Sequence, residues 1–78
     1  MNIQRRKKLE ALVDQLDELR AAVKAIEAEE DEILSRTPDN LRGSQQYKDT
    51  EQNSEDLNDA GFLIDRAIDK IMEAIERR

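Results

Sequence analysis

With 78 residues, this chain has room for one small domain, residues 1–78, whose core is marginal unless self-association or a cross-link adds to it. It contains neither Cys nor His, which excludes a disulfide scaffold, a zinc-folded module and every catalytic arrangement built on those residues. Charged residues make up 41% of the chain and the net charge is −6, so we expect a soluble, long-helix protein that does not attract nucleic-acid phosphates.

The first predicted element is a helix from about residue 2 to residue 36, where Ala, Leu, Glu, Lys and Arg dominate and neither Pro nor Gly occurs. Acidic residues interrupt every apolar run after the basic residues 5–8, which excludes a signal peptide and a transmembrane segment and predicts a cytoplasmic protein. Apolar residues recur at the three- and four-residue spacing of a heptad seam. The predicted seam consists of Leu9, Leu12, Leu16, Leu19, Val23, Ile26 and Ile33, with Glu30 at one position.

Residues 37–43 are predicted to form the turn. Pro38 cannot continue a helix, and Thr37 before it has the character of an N-cap for one short helical turn. We expect Leu41 to close the end of the hairpin as an apolar plug. The Gly-Ser pair that follows supplies a flexible break and the N-cap of the next helix.

The second predicted helix runs from about residue 44 to residue 76. Its start is the weaker pattern, because residues 45–55 contain only Tyr47 as a sizeable apolar group. Further along, the heptad pattern is regular and predicts a second seam. The residues of that seam are Leu57, Ile64, Ile68, Ile71 and Ile75.

The two seams predict an antiparallel pairing within the chain. If the numbers of facing residues add up to about 80, Leu19 faces Gly61, so that a bulky side chain meets a residue without one. In the same register Glu30 faces the hydroxyl of Thr50, and such a polar layer penalises slipped alternatives. The predicted fold is therefore all-α, an antiparallel two-helix hairpin of the coiled-coil type.

A two-helix hairpin leaves further apolar residues in water. Beside the second seam, Ala repeats once per heptad, and such a row allows two helices to approach closely. We therefore predict that two hairpins associate as a homodimeric four-helix bundle. The predicted self-association residues are Ala60, Phe62, Leu63, Ala67, Met72 and Ala74.

Charge is distributed unevenly along the predicted rod. The turn end, residues 27–56, sums to −7, and the open end, residues 1–8 and 70–78, sums to +5. This polarity either aids solubility and orients a partner chain, or lets the turn end dock on a basic surface as a nucleic-acid mimic. A third alternative, contact of the open end with nucleic acid or acidic lipid, lacks aromatic stacking residues. The predicted acidic head consists of Glu27, Glu29, Glu30, Asp31 and Glu32.

No catalytic site, metal site or cofactor is predicted. Carboxylates are abundant, but a helical rod offers no cleft in which to perturb a carboxyl pKa, and no glycine-rich phosphate loop occurs. The acidic head also lacks the fixed loop spacing of a dedicated calcium site. These observations favour a non-enzymatic protein–protein interaction module that presents a charged surface to a protein partner.

Residues 37–44, Thr-Pro-Asp-Asn-Leu-Arg-Gly-Ser, lie between the opening Gln-Arg-Arg-Lys-Lys-Leu of residues 4–9 and an acidic second helix. In this arrangement, most of the chain resembles small helical-hairpin proteins of bacteria and their phages. The resemblance implies a phage or mobile-element origin and supplies no functional residues. Because small acidic phage proteins often disable a host protein, it also implies an alternative function: an inhibitor in the host cytoplasm that binds a basic groove of a host or defence protein.

Overall fold

The structure is a computed structural model that describes residues 1–77. Helix α1 spans Ile3–Arg36 and helix α2 spans Gln45–Glu76, with a single turn of 3₁₀ helix at Asp39–Leu41 between them. Both helices begin and end within one residue of the predicted bounds. They run antiparallel and contact each other along their length, so the predicted helical hairpin is confirmed.

Local hydrogen bonds define the helix ends. Asn2 and Ser44 cap α1 and α2, since the side-chain oxygen of each accepts from the backbone N–H three residues later, at 2.8 Å and 3.2 Å. Thr37 is not the N-cap that its sequence context predicts. Its hydroxyl donates to the carbonyl of Ile33 at 2.7 Å, so it satisfies a carbonyl that the last turn of α1 leaves free.

The turn does not depend on glycine. No residue of the described chain, Gly43 included, has a positive φ, and a Cβ added at Gly43 meets nothing within 4 Å. The chain direction changes instead at Pro38, which has extended backbone angles and leads into the 3₁₀ turn. Position 43 therefore accepts residues other than Gly.

The polar start of α2 is helical although it lacks apolar side chains. Two pairs of side chains spaced four residues apart bond along its surface: Gln45 with Asp49 at 2.8 Å, and Gln52 with Asp56 at 2.9 Å. Such pairs stabilise a helix by about 0.2–0.5 kcal/mol each. Thr50 is buried, and its hydroxyl donates to the carbonyl one turn earlier at 2.9 Å. Local polar contacts thus replace the missing apolar ones.

The seam of α2 lies where the sequence predicts it. Ile68 is 6% exposed and is the only apolar side chain of residues 1–77 that is buried, while Gly61 on the same stripe is also buried. The remaining members of the predicted seam are all partly buried: Leu57, Ile64, Ile71 and Ile75.

The seam of α1 differs from the prediction in one of its two rows. The predicted row of Leu9, Leu16, Val23 and Glu30 is partly buried. The second partly buried row was not predicted and consists of Val13, Arg20, Glu27 and Leu34. The remaining residues predicted for the seam are exposed by 46–58%: Leu12, Leu19, Ile26 and Ile33. Helix α1 thus turns the row that contains Val13 towards α2, although this row also includes Arg20 and Glu27. In this orientation Arg20 reaches Asp65 of α2.

The register between the helices also differs from the prediction. Arg20 bonds to Asp65, and Asp31 bonds to Ser54, so that facing residue numbers add up to about 85 and not 80. This corresponds to a shift of about one helical turn. The physical reason is that the shifted register brings oppositely charged and hydrogen-bonding side chains within reach, which the apolar pattern alone does not reveal.

The hairpin is a thin rod of 59 × 15 × 13 Å. Its radius of gyration is 17.7 Å, whereas a compact chain of this length has about 11.5 Å. Within residues 1–77, neither helix combines the length and the apolar character that crossing a bilayer requires. The rod shape spreads the side chains over long, narrow surfaces.

Candidate interaction surfaces

One long side of the hairpin carries a line of bulky apolar side chains from α1 that α2 does not cover. We call Leu12, Leu19, Ile26 and Ile33 the α1 row. They recur every seven residues, and at a rise of 1.5 Å per residue the line from first to last spans about 32 Å. Each side chain is about half exposed.

The alanine row of α2, Ala60, Ala67 and Ala74, lies on the same side as the α1 row. Ile33, the last member of the α1 row, and Gln46 of α2 line a common groove at the turn end. Ala60 follows Gln46 by two heptads, and residues one heptad apart lie on the same side of a coiled-coil helix. We call the α1 row and the alanine row together the apolar face.

The residues predicted for self-association do not all belong to this face. Leu63 lies about one helical turn from two members of the alanine row and widens the apolar face. Phe62 instead lines a shallow depression together with Asp65, on the side where the two helices exchange ionic contacts. Met72 follows Asp65 by one heptad and lies on that same side. The structure therefore separates Phe62 and Met72 from the alanines.

The apolar face leads into a groove of about 490 Å³ at the turn end. Ile33, Pro38, Leu41 and Tyr47 supply its apolar lining, and Thr50 adds a polar wall. Leu41 is half exposed and borders the groove. It leaves the end of the hairpin open and is not the plug that the sequence predicts.

The opposite side of the hairpin is polar. Arg20 donates to Asp65 across the helices and forms a second ion pair with Asp17 at 3.4 Å. The hydrogen bond and the negative charge of Asp65 raise the pKa of the Arg20 guanidinium. Sequence reasoning missed this contact, because Arg20 lies outside the predicted seam, in a row that also contains Val13, Glu27 and Leu34.

Helix geometry divides the predicted acidic head. Glu27 and Glu30 are partly buried at the seam, and Asp31 accepts a hydrogen bond from α2. Only Glu29 and Glu32 of the five are exposed without a contact to α2 in the described chain. The five carboxylates therefore form no single docking surface. Across residues 1–77, no group of three acidic side chains is arranged to hold a metal ion.

The isolated hairpin exposes more surface than a compact protein of the same mass. Its accessible surface is 6185 Å², whereas a folded monomer of 9.0 kDa exposes about 4,850 Å². The excess of about 1,300 Å² exceeds the roughly 800 Å² that each partner buries in an interface of standard size. The hairpin can therefore bury an interface of standard size and still expose as much surface as a compact monomer. The longest line of bulky apolar side chains in its exposed surface is the α1 row.

The described chain thus offers an apolar face, a groove at the turn end and a polar side fixed by Arg20 and Asp65. Comparison with protein-family models, with curated proteins and with solved structures gives no match.

Proposed function

We propose that this protein is a non-enzymatic interaction module of the cytoplasm, a helical hairpin that self-associates into a homodimeric four-helix bundle and presents a charged surface to a protein partner. The observation that carries the proposal is the α1 row, in which four bulky side chains stand about half exposed in one line. Soluble monomers rarely leave large contiguous apolar patches in water, and such patches mark interaction sites.

Self-association supplies the core that the hairpin lacks. Complete burial of a Leu or Ile side chain contributes about 1.5–3 kcal/mol, so covering the exposed half of four such side chains contributes on the order of 3–6 kcal/mol per chain. Because a whole small domain is stable by only about 5–15 kcal/mol, folding and self-association are expected to be coupled.

The surface that remains outside such a bundle is charged. Glu29 and Glu32 project from the turn end of α1, and Asp14 and Glu18 project from its middle. A partner with a basic surface matches this distribution, and charges at the rim of an interface act mainly on specificity and association rate. The partner is therefore proposed to be a protein with a basic docking surface.

Light scattering at micromolar concentration tests the self-association. We expect a mass twice the 9.0 kDa of one chain. Leu19→Glu is expected to give a monomer, because it places a charge in the apolar face, whereas Phe62→Glu on the polar side is expected to remain a dimer. A monomeric wild-type protein, or a dimer that survives Leu19→Glu, contradicts the proposal.

A pull-down from lysate tests the charged surface. Glu29→Lys combined with Glu32→Lys reverses two exposed carboxylates without touching the seam. The matched control reverses Asp14 and Glu18, which are also exposed on α1 and change the net charge by the same amount. If only the reversal of Glu29 and Glu32 abolishes capture of a protein, a docking surface at the turn end is supported. If both reversals abolish capture equally, the loss is due to the net charge, and the docking surface is contradicted.

A second candidate function is that of a small acidic phage-type inhibitor that occupies a basic groove of a host or defence protein. It is favoured by the coincidence of the −7 charge of residues 27–56 with the apolar groove at the same end of the rod. In this case the captured protein binds DNA or RNA, and the hairpin abolishes that binding. A gel shift of the captured protein with added hairpin decides between the two functions.

A further inference from the structure

We propose that the apolar face binds a second copy of this chain in the opposite orientation, so that the open end of each hairpin lies beside the turn end of the other. This inference rests on the self-association proposed above and specifies its surface and its direction. It concerns the α1 row, the alanine row and the charges at the two ends of the rod.

The apolar face is the side of the hairpin that is suited to burial. The other side holds the Arg20–Asp65 ion pair and the Asp31–Ser54 hydrogen bond. Covering these charges with another chain requires their desolvation, which often exceeds the gain from the ion pair itself. The apolar face imposes no such cost, because aliphatic side chains make up both of its rows.

Charge selects the orientation of the second copy. Two hairpins can stack on one face with their open ends together or with their open ends apart. The first arrangement places the +4 of residues 1–8 beside the same charge, and the −7 of residues 27–56 beside the same charge. The second separates the two basic ends from each other and the two acidic turn ends from each other, and so removes both of these like-charge contacts. Stacked helices are about 10 Å apart and the Debye length at physiological salt is about 8 Å, so this preference is weakened but retained.

The α1 row is self-complementary in the reversed orientation. A twofold axis between Leu19 and Ile26 brings Leu19 beside the partner's Ile26, and Leu12 beside the partner's Ile33. The same axis sets residues 5–8 level with the turn of the partner and far from the partner's own residues 5–8. The two α2 helices then face each other with Ala60 near the axis, and its small side chain allows them to approach there to about 8 Å.

Distances between spin labels test the orientation in the full-length protein. The chain has no Cys, so a single introduced Cys carries a unique label. Gly43→Cys is suitable because a Cβ at this position meets nothing within 4 Å and the backbone angle is ordinary. We expect labels at position 43 to lie about 60 Å apart in the dimer, since each is about twenty residues from the axis at 1.5 Å per residue.

Ala25→Cys provides the matched control. Ala25 is exposed near the middle of α1, so its labels lie within roughly 30 Å of each other in either orientation and report that the dimer is present. A long distance at position 43 with a short one at position 25 supports the proposal. A distance within about 25 Å at position 43, together with one within roughly 30 Å at position 25, overturns the reversed orientation while the self-association stands.

Absence of dipolar coupling at position 25, together with the mass of a single chain, contradicts the self-association itself. The two failures are therefore distinguishable. A dimer that dissociates with Phe62→Glu and persists with Leu19→Glu overturns the assignment of the surface, because Phe62 and Leu19 lie on opposite sides of the hairpin.

Discussion

Arg20 of α1 donates a hydrogen bond to the carboxylate of Asp65 of α2, and this contact ties the two helices together near the middle of the rod. This contact and the hydrogen bond from Ser54 to Asp31 both form in the observed register, with the side of α1 that carries Arg20 turned towards α2. As a result, Leu12, Leu19, Ile26 and Ile33 lie on the outside. The orientation of α1 that allows the Arg20–Asp65 contact on one side of the hairpin therefore leaves the α1 row exposed on the other side.

The first prediction concerns this ion pair. Arg20→Glu places two carboxylates side by side and is expected to lower the midpoint of thermal unfolding, measured by circular dichroism. Combining Arg20→Glu with Asp65→Arg restores the opposite charges and is expected to recover much of the loss. The loss is expected to shrink at 1 M salt, where the Debye length is about 3 Å. Arg66→Glu, an exposed change of the same sign on α2, serves as the control and is expected to have a small effect.

A second prediction compares two leucines three residues apart. Leu16 is partly buried in the seam and Leu19 is 58% exposed in the α1 row. Leu16→Ala is expected to lower the free energy of unfolding by about 2–3 kcal/mol at every protein concentration, because it removes contacts within the chain. Leu19→Ala is expected to act through the dimer, so that the dependence of the melting temperature on concentration weakens.

Thermal melts of both variants over a hundredfold range of concentration measure this difference. The register that the apolar pattern favours places both leucines between the two helices of one chain. In that case the two variants behave alike. Equal, concentration-independent losses therefore contradict the position of Leu19 on the outside of the hairpin.

The third prediction concerns Gly61, which is buried in the seam of α2. Its φ is not positive, and an added Cβ meets nothing within 4 Å. Gly61→Ala is therefore expected to stabilise the hairpin by about 0.5–1 kcal/mol, since Ala loses less backbone entropy than Gly in a helix. Chemical denaturation measures this gain. If Leu19 packed on Gly61, the added methyl would destabilise the protein, so the sign of the change tests the register.

The fourth prediction concerns the alanine row. Ala67 is exposed in the single hairpin, so Ala67→Leu is expected to leave the fold of one chain intact. In the dimer, the larger side chain separates the two α2 helices, and overpacking of this kind costs about 1–3 kcal/mol. The dimer dissociation constant is therefore expected to rise about 5- to 150-fold, as measured by sedimentation equilibrium. Ala25→Leu on the back of α1 is the control and is expected to leave the constant unchanged.

The candidate surfaces were only partly predictable from the sequence. The alanine row and Leu63 form a recognisable pattern, and the structure keeps them together on one side. The α1 row, by contrast, has the spacing of a core seam, and its role as an exposed surface becomes visible only when α2 is in place. The acidic head was predicted as one cluster because its five members are close in sequence, but successive residues of a helix point in different directions.

The amino-acid sequence by itself determined the two helices, their ends and the turn. These depend on local properties: the absence of Pro and Gly from α1, the caps at Asn2 and Ser44, and the restricted backbone of Pro38. Only the tertiary structure decided which side of α1 faces α2. The row that turns towards α2 includes Arg20 and Glu27, so the apolar pattern of α1 alone favours the row that stays outside. Two side chains of α2 that are distant in sequence, Asp65 and Ser54, bond to α1 in the orientation that it adopts.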